Sequence, residues 1–134
     1  MNEVVKFLTE NPIQFFSTVG LDGNPKVRPF QFMFESNSKL YFCTGNDKNV
    51  YKELVKNPNV QICSCSPEFK WVRVSAKVVF TKDTKIKEAI LKHSPFVESI
   101  YRNPANPTFE ALYLDEVTAV FYDFSDNPPK TVKF

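Results

Sequence analysis

The sequence is poor in glycine, with only Gly20, Gly23 and Gly45 among its 134 residues. Neither the GxGxxG nor the GxxxxGK[ST] pattern occurs, so a nucleotide cannot be held by a glycine-rich loop of the familiar kind. A phosphate bound to this chain would have to contact side chains or the first N–H groups of a helix.

Histidine and cysteine are also scarce. His93 is the only histidine, and the three cysteines, Cys43, Cys63 and Cys65, contain no CxxC pair that would define a zinc site. An odd number of cysteines is typical of reduced thiols, which we interpret as small buried hydrophobic residues. No apolar run is long enough for a signal peptide or a membrane helix, which predicts a cytoplasmic protein with no membrane association.

No arrangement of catalytic side chains is apparent. His93 lies near the end of a predicted helix with no nucleophile close to it, and the adjacent Asp115 and Glu116 indicate a turn. The 17 basic and 15 acidic residues are dispersed, without the basic run typical of nucleic-acid binding. We therefore expect no catalytic side chain, no metal site and no nucleic-acid partner.

Aromatic residues, in contrast, are abundant. They make up 15% of the chain, and 14 of them are phenylalanine. The length fits a single domain over residues 1–134 with one core. The aromatic content exceeds what that core needs, which indicates a further apolar surface for a ligand, a partner subunit or both.

The hydropathy pattern predicts about seven strands, with two or three short helices between them. The strands are predicted at 13–19, 26–35, 40–43, 60–65, 71–80, 109–114 and 117–124, and the helical segments at 4–8, 48–56, 84–92 and 94–101. The first three strands are expected to form an antiparallel meander, and residues 115–116 to turn between the last two. So many short strands favour closure into a barrel, with an open α+β sheet as the alternative.

Two features could bind a phosphate. Residues 46–49 lie where a strand ends and a helix begins, with Asn46 or Asp47 as the expected N-cap and Lys48 as a nearby charge. An ordinary capped helix explains the same residues. Arg28, directly before Pro29, lies where the strand is interrupted, and its guanidinium suits a phosphate. Pairing of Arg28 with a carboxylate at the barrel rim explains it equally well.

The strand predicted at 71–80 has a regular two-residue period. It places four small apolar residues on one face, and Trp71 and Arg73 on the other. An outward tryptophan needs shielding from water, by a dimer interface, by a planar ligand or by its own surroundings.

Taken in order, several segments resemble the pyridoxamine 5′-phosphate oxidase-like superfamily of FMN-binding split β-barrels. The matching segments are 23–30 (GNPKVRPF), 40–44 (LYFCT), 48–51 (KNVY), 54–60 (LVKNPNV) and 71–75 (WVRVS), and more weakly 109–114 and 117–124. The resemblance implies a mainly β, antiparallel, Greek-key-like split barrel. It also implies a homodimer with FMN at the subunit interface.

The resemblance further implies which residues contact the cofactor. Arg28 and Lys48 would meet the phosphate, and the partner chain would supply Trp71 and Arg73. The remaining expected contacts are Pro29, Phe30, Gln31, Cys43, Thr44, Asn46 and Asn49. No counterpart of the true oxidase's C-terminal substrate-binding segment is found, so the chain is similar to small bacterial members. The hypothesis is an FMN-dependent oxidoreductase or electron-transfer protein. The alternative is a non-enzymatic module that binds haem, another planar ligand or only a protein partner.

Overall fold

The computed structural model describes every residue from Met1 to Phe134. Four helices and eight strands follow one another along the chain as α1 Asn2–Glu10, β1 Ile13–Val19, β2 Pro25–Gln31, β3 Phe34–Ser36, β4 Lys39–Gly45, α2 Asn49–Lys56, β5 Asn59–Cys65, β6 Trp71–Thr81, α3 Thr84–His93, α4 Pro95–Tyr101, β7 Phe109–Tyr122 and β8 Lys130–Lys133. None of the helices is both long and apolar enough to cross a membrane.

All strand pairs are antiparallel, and the two end strands of the sheet are consecutive in the chain. The strand order of the sheet is β2-β1-β5-β6-β7-β4-β3, with β8 added beside β7. The two ends of this order, β2 and β3, are separated by only Phe32 and Met33. A connection this short spans at most about 11 Å, so the two ends of the sheet are held together. The predicted antiparallel barrel is confirmed, and the open-sheet alternative is wrong.

The barrel interior is filled by 18 buried apolar residues. On β6, Val72, Val74, Ala76 and Val78 face this core, as the two-residue period predicts. A second cluster of seven buried residues packs α3 and α4 against the outer side of β4 and β7. Each large side chain in these clusters contributes about 1.5–3 kcal/mol by leaving water.

The single strand predicted at 26–35 is wrong, because the chain bends at Phe32. There the backbone N–H of Phe32 donates to Oε1 of the buried Gln14 at 2.6 Å, instead of to a neighbouring strand. The next N–H, of Met33, donates to the carbonyl of Tyr41 on β4 at 3.0 Å. After the bend, the chain therefore no longer pairs with β1, the partner of β2, and pairs instead with β4, the partner of β3. Both antiparallel pairs of the predicted meander are present, β1 with β2 and β3 with β4, but the bend divides its middle strand, so β4 does not pair with β2.

The turn predicted at 115–116 is wrong as well. β7 runs without a break through Asp115 and Glu116, and its register with β6 shifts between Ser75 and Lys77. Glu116 has φ 51°, and its carboxylate pairs with Lys77 at 3.0 Å. Glu116 and Val117 lie opposite the single residue Ala76 of β6 and form a β-bulge. The polar Asp115 and Glu116 at this bulge interrupt the sequence pattern as a turn would. This fusion, the division of 26–35 and the added β8 account for eight strands instead of seven.

The three cysteines are free thiols, and Cys65 is exposed while Cys43 and Cys63 are half-buried. Their interpretation as buried hydrophobic residues is wrong for Cys65, because alternation along β5 places it on the outward side of the sheet. No three His, Cys, Asp or Glu side chains lie close enough together to hold a metal ion.

Candidate functional site

A cleft of about 200 Å³ lies between β2, β4, the start of α2 and α4. It brings together seven of the eleven residues predicted to contact a cofactor, namely Arg28, Pro29, Phe30, Gln31, Cys43, Thr44 and Lys48. Most of its remaining wall is apolar and comes from α4, where Phe96 and Ile100 are 70% and 51% exposed. Charged and polar groups at one side of an apolar wall are typical of ligand sites.

A larger groove, of about 560 Å³, crosses the outer face of the sheet. It is lined mainly by short polar side chains, such as Ser17, Gln61 and Ser75, which lie side by side on adjacent strands. The groove offers little apolar surface to a planar ring and only one cation, Lys77, which is already paired with Glu116. We therefore place the candidate site in the smaller cleft.

Arg28 is held in a closed ring of hydrogen bonds at the edge of this cleft. Its Nη2 donates to Oε1 of Glu53 and its Nη1 to Oγ1 of Thr18, both at 2.7 Å. The Thr18 hydroxyl in turn donates to the same Glu53 oxygen at 2.7 Å. Glu53 is only 4% exposed. The carboxylate pairing left open by the sequence is therefore present, and it compensates much of the Arg28 charge.

Lys48 is the cation in the cleft that has no carboxylate partner, since none of the ion pairs in the chain includes it. It is the N-cap residue of α2, and no side chain caps this helix. The predicted N-caps, Asn46 and Asp47, are wrong. The Asn46 amide donates instead to the Pro107 carbonyl at 2.7 Å and to the buried Glu110 at 2.9 Å. The first N–H groups of α2 are thus left for an acceptor outside the helix.

Four predicted contact residues do not line the cleft of their own chain: Asn46, Asn49, Trp71 and Arg73. Trp71 stacks on Tyr122 with 4.2 Å between ring centroids, and the Arg73 guanidinium lies 5.4 Å from both rings. The outward Trp71 is therefore partly shielded from water by Tyr122 and Arg73 of the same chain. The register Phe15–Cys63–Arg73 places Arg73 in one row with the exposed Phe15 on the outer face.

Neither candidate for proton transfer is suited to it. Burial raises the pKa of the Cys43 thiol to about 12, although the nearby Lys48 acts in the opposite direction. A thiol with this pKa stays protonated and unreactive at neutral pH. His93 is exposed, lies edge-on to Phe34 at 5.9 Å and does not line the cleft.

The sequence interpretation missed Glu53, Tyr101 and the α4 wall. Glu53 had a detectable signal, because it falls at helical spacing with the buried Val50 and Leu54. An acidic residue on the buried face of a helix implies a buried cation. For Tyr101 no signal exists, since its position against the cleft depends on how α4 packs.

The pyridoxamine 5′-phosphate oxidase family model matches residues 1–122 of this chain. A search of curated proteins gives no match. Among solved structures, a NimC/NimA family protein from Clostridium acetobutylicum superposes with a TM-score of 0.92 at 26% identity, covering 100% of this chain and 92% of that one.

Two further structures share the fold at lower identity. A pyridoxamine 5′-phosphate oxidase-related, FMN binding protein from Nostoc punctiforme has a TM-score of 0.70 at 15% identity, covering 99% of this chain and 95% of that one. A heme binding protein from Mycobacterium smegmatis has a TM-score of 0.73 at 12% identity, covering 98% of this chain and 56% of that one. Because the family model matches residues 1–122 of the 134 residues, this chain belongs to the pyridoxamine 5′-phosphate oxidase family.

Proposed function

We propose that this protein binds FMN in the cleft, as a homodimer, and acts as an FMN-dependent oxidoreductase or electron-transfer protein. The observation that carries the proposal is the position of Lys48. This cation has no carboxylate partner, and it lies at the uncapped start of α2, beside a mostly apolar cleft.

The chemistry of the donors fits FMN, which has a phosphate at one end and a flat, largely apolar ring at the other. Lys48 and the first N–H groups of α2 suit the phosphate, because a helix start binds anions through both its N–H groups and its dipole. Pro29, Phe30 and Gln31 form the adjacent wall and suit the ring. Arg28 would contribute as a hydrogen-bond donor more than as a net charge, since Glu53 compensates it.

The size of the cleft and the outer face of the sheet support the proposed dimer. Ligand pockets usually enclose about 300–1,000 Å³, so a cleft of about 200 Å³ would give FMN only part of its enclosure. On the outer face, Ile13, Phe15 and Val27 are 55%, 53% and 65% exposed. A second copy packed there would cover them and bring Trp71 and Arg73 to the neighbouring cleft.

The role of the chain in the reaction is then to bind and orient. FMN supplies the redox chemistry when it is bound, and the protein supplies position and electrostatics. Cys43 stays protonated and His93 lies elsewhere, so we assign no proton transfer to either. This fits a site whose residues hold the flavin without a dedicated acid or base.

The haem alternative is less well supported by the cleft. Haem iron is usually held by His, Cys thiolate, Met or Tyr. The only histidine does not line the cleft, and Met33 does but is buried within the second cluster. The raised pKa values of Cys43 and Tyr101 disfavour the thiolate and the phenolate that would bind iron. The visible spectrum of the protein loaded with cofactor separates the two, since flavin absorbs at about 450 nm whereas haem gives a Soret band.

The test is a titration of the protein with FMN and with riboflavin, which lacks the phosphate. Flavin fluorescence monitors binding in both titrations. Lys48→Ala should weaken FMN binding by about 1.5–3 kcal/mol, the range for a hydrogen bond to a charged group. It should leave riboflavin binding unchanged. Lys52→Ala is the matched control, because Lys52 lies on the same helix, is exposed and does not line the cleft.

Equal affinities of the wild-type protein for FMN and riboflavin would refute the phosphate site. Equal losses in Lys48→Ala and Lys52→Ala would show that only the overall charge matters.

A further inference from the structure

Tyr101, the last residue of α4, has a buried ring and a hydroxyl without a partner. The residue is 8% exposed, and its ring stacks on Phe109 with 4.8 Å between centroids. No hydrogen bond within the chain involves the hydroxyl, yet every fully enclosed side-chain polar atom in the protein has a partner. The hydroxyl is therefore not fully enclosed, and Tyr101 is one of the residues that line the cleft.

Gly45, the last residue of β4, makes room for this hydroxyl. A Cβ on Gly45 would lie 3.0 Å from the Tyr101 oxygen and 2.6 Å from Oδ1 of Asp47. Both distances are shorter than ordinary contacts of a side chain. The absence of a side chain at Gly45 thus lets the phenol approach the turn that leads into α2.

The cleft that Tyr101 lines also contains hydrogen-bond donors. Lys48, the uncapped start of α2 and the Thr44 side chain belong to the same cleft. Burial, helped by Cys43 and Asp47, raises the pKa of Tyr101 to about 12, so the phenol remains a donor at neutral pH. The Asp47 carboxylate opposes an anion here, but it is exposed and screened by water. The Tyr101 phenol donates to no group of the chain and shares the cleft with Lys48 and the uncapped start of α2. Such a set of donors suits a ligand group that has several negatively charged oxygens.

We propose that Tyr101 donates a hydrogen bond to the phosphate of FMN, in a cradle completed by Lys48 and the start of α2. The inference rests on the proposed function and adds a residue that neither the sequence nor the resemblance assigns. Inorganic phosphate shares the recognised chemistry and should occupy the same cradle weakly.

The experiment compares wild type, Tyr101→Phe and Tyr113→Phe. Phenylalanine at 101 keeps the ring on Phe109, and it should leave the thermal midpoint unchanged because the hydroxyl donates no bond within the chain. Tyr113 is the control, being half-buried and outside the cleft. We expect Tyr101→Phe to raise the Kd for FMN by about tenfold or more, as for a lost hydrogen bond to a charged group. The Kd for riboflavin, and both values for Tyr113→Phe, should stay within twofold of wild type.

A second measurement uses inorganic phosphate alone. Phosphate, compared with chloride at equal ionic strength, should raise the thermal midpoint of wild type and not that of Tyr101→Phe. If wild type prefers FMN to riboflavin and Tyr101→Phe binds FMN as tightly, the role of Tyr101 is wrong and the proposed function stands. If phosphate stabilises the protein through Tyr101 but FMN does not bind, the proposed function fails and the phosphate site stands. If wild type binds neither, both are wrong.

Discussion

Arg28, Glu53 and Thr18 form a ring of hydrogen bonds in which we expect the loss of Arg28 to destabilise the fold more than the loss of the Glu53 charge. The Arg28 side chain is 24% exposed and can reach the cleft, whereas the Glu53 side chain is only 6% exposed. Removal of the arginine therefore leaves a buried carboxylate that has lost its cation. Removal of the carboxylate leaves a guanidinium that water can reach.

The expected magnitudes differ accordingly. Arg28→Met should lower the free energy of unfolding by about 3–5 kcal/mol, the cost of breaking a buried ion pair and leaving one charge. Glu53→Gln should cost only about 1–2 kcal/mol, because the amide oxygen still accepts from Thr18 and Arg28 remains partly hydrated. The double variant Arg28→Met/Glu53→Met leaves no buried charge, and it should be more stable than Arg28→Met alone.

Urea denaturation followed by the fluorescence of Trp71, the only tryptophan, measures all four proteins by linear extrapolation. Natural domains are stable by only about 5–15 kcal/mol, so FMN affinities of Arg28 variants must be referred to the folded fraction. The reasoning is refuted if Glu53→Gln is as destabilising as Arg28→Met. It is also refuted if the double variant is no more stable than Arg28→Met alone.

The dimer and the titrating groups give two further predictions. Phe15→Asp should place a charge in the proposed interface and give a monomer with weakened FMN binding in analytical ultracentrifugation and flavin titration; a wild-type monomer at micromolar concentration with FMN would contradict this. Folding raises the pKa of the Cys43 thiol from 9.0 to about 12, because the buried thiol favours its neutral form. The resulting stabilisation is fully present below pH 9, where the thiol is neutral in both the folded and the unfolded chain. It is lost as the pH rises from about 9 towards 12, because the unfolded chain then releases the proton more readily than the folded one. Cys43→Ala should therefore lose less unfolding free energy than wild type between pH 9 and 11 in urea titrations; parallel curves would show that the thiol is not responsible.

Much of the fold could be predicted because short-range patterns determine it. The strand Ile13–Val19 matches its prediction at both ends, and the two-residue period of β6 gives its buried face correctly. The failures lie where a distant group decides the backbone path. The Gln14 side chain binds the N–H of Phe32 across 18 residues, and no local pattern carries this information.

The candidate site divides in the same way. Lys48 and the start of α2 could be predicted, because a strand that ends before a helix has a local signature. The partner of Arg28 could not be predicted from its own segment, since Glu53 lies 25 residues further along the chain. Tyr101 reaches the cleft only through the packing of α4 beneath β4 and β7.

The pairing of β4 with β7 constrains when the cleft can exist during synthesis. Cys43 on β4 lies opposite Ala111 on β7, 68 residues later in the chain. The edge of β4 that faces away from β3 therefore stays unpaired until β7 has been synthesised. The hairpins β1–β2 and β5–β6 involve neighbours in sequence and can form early, while contacts between distant segments form slowly. One wall of the cleft lies on β4 and another on α4, just before β7. A nascent chain therefore cannot present the complete cleft until most of it has left the ribosome, so any ligand of the cleft can bind only late in folding.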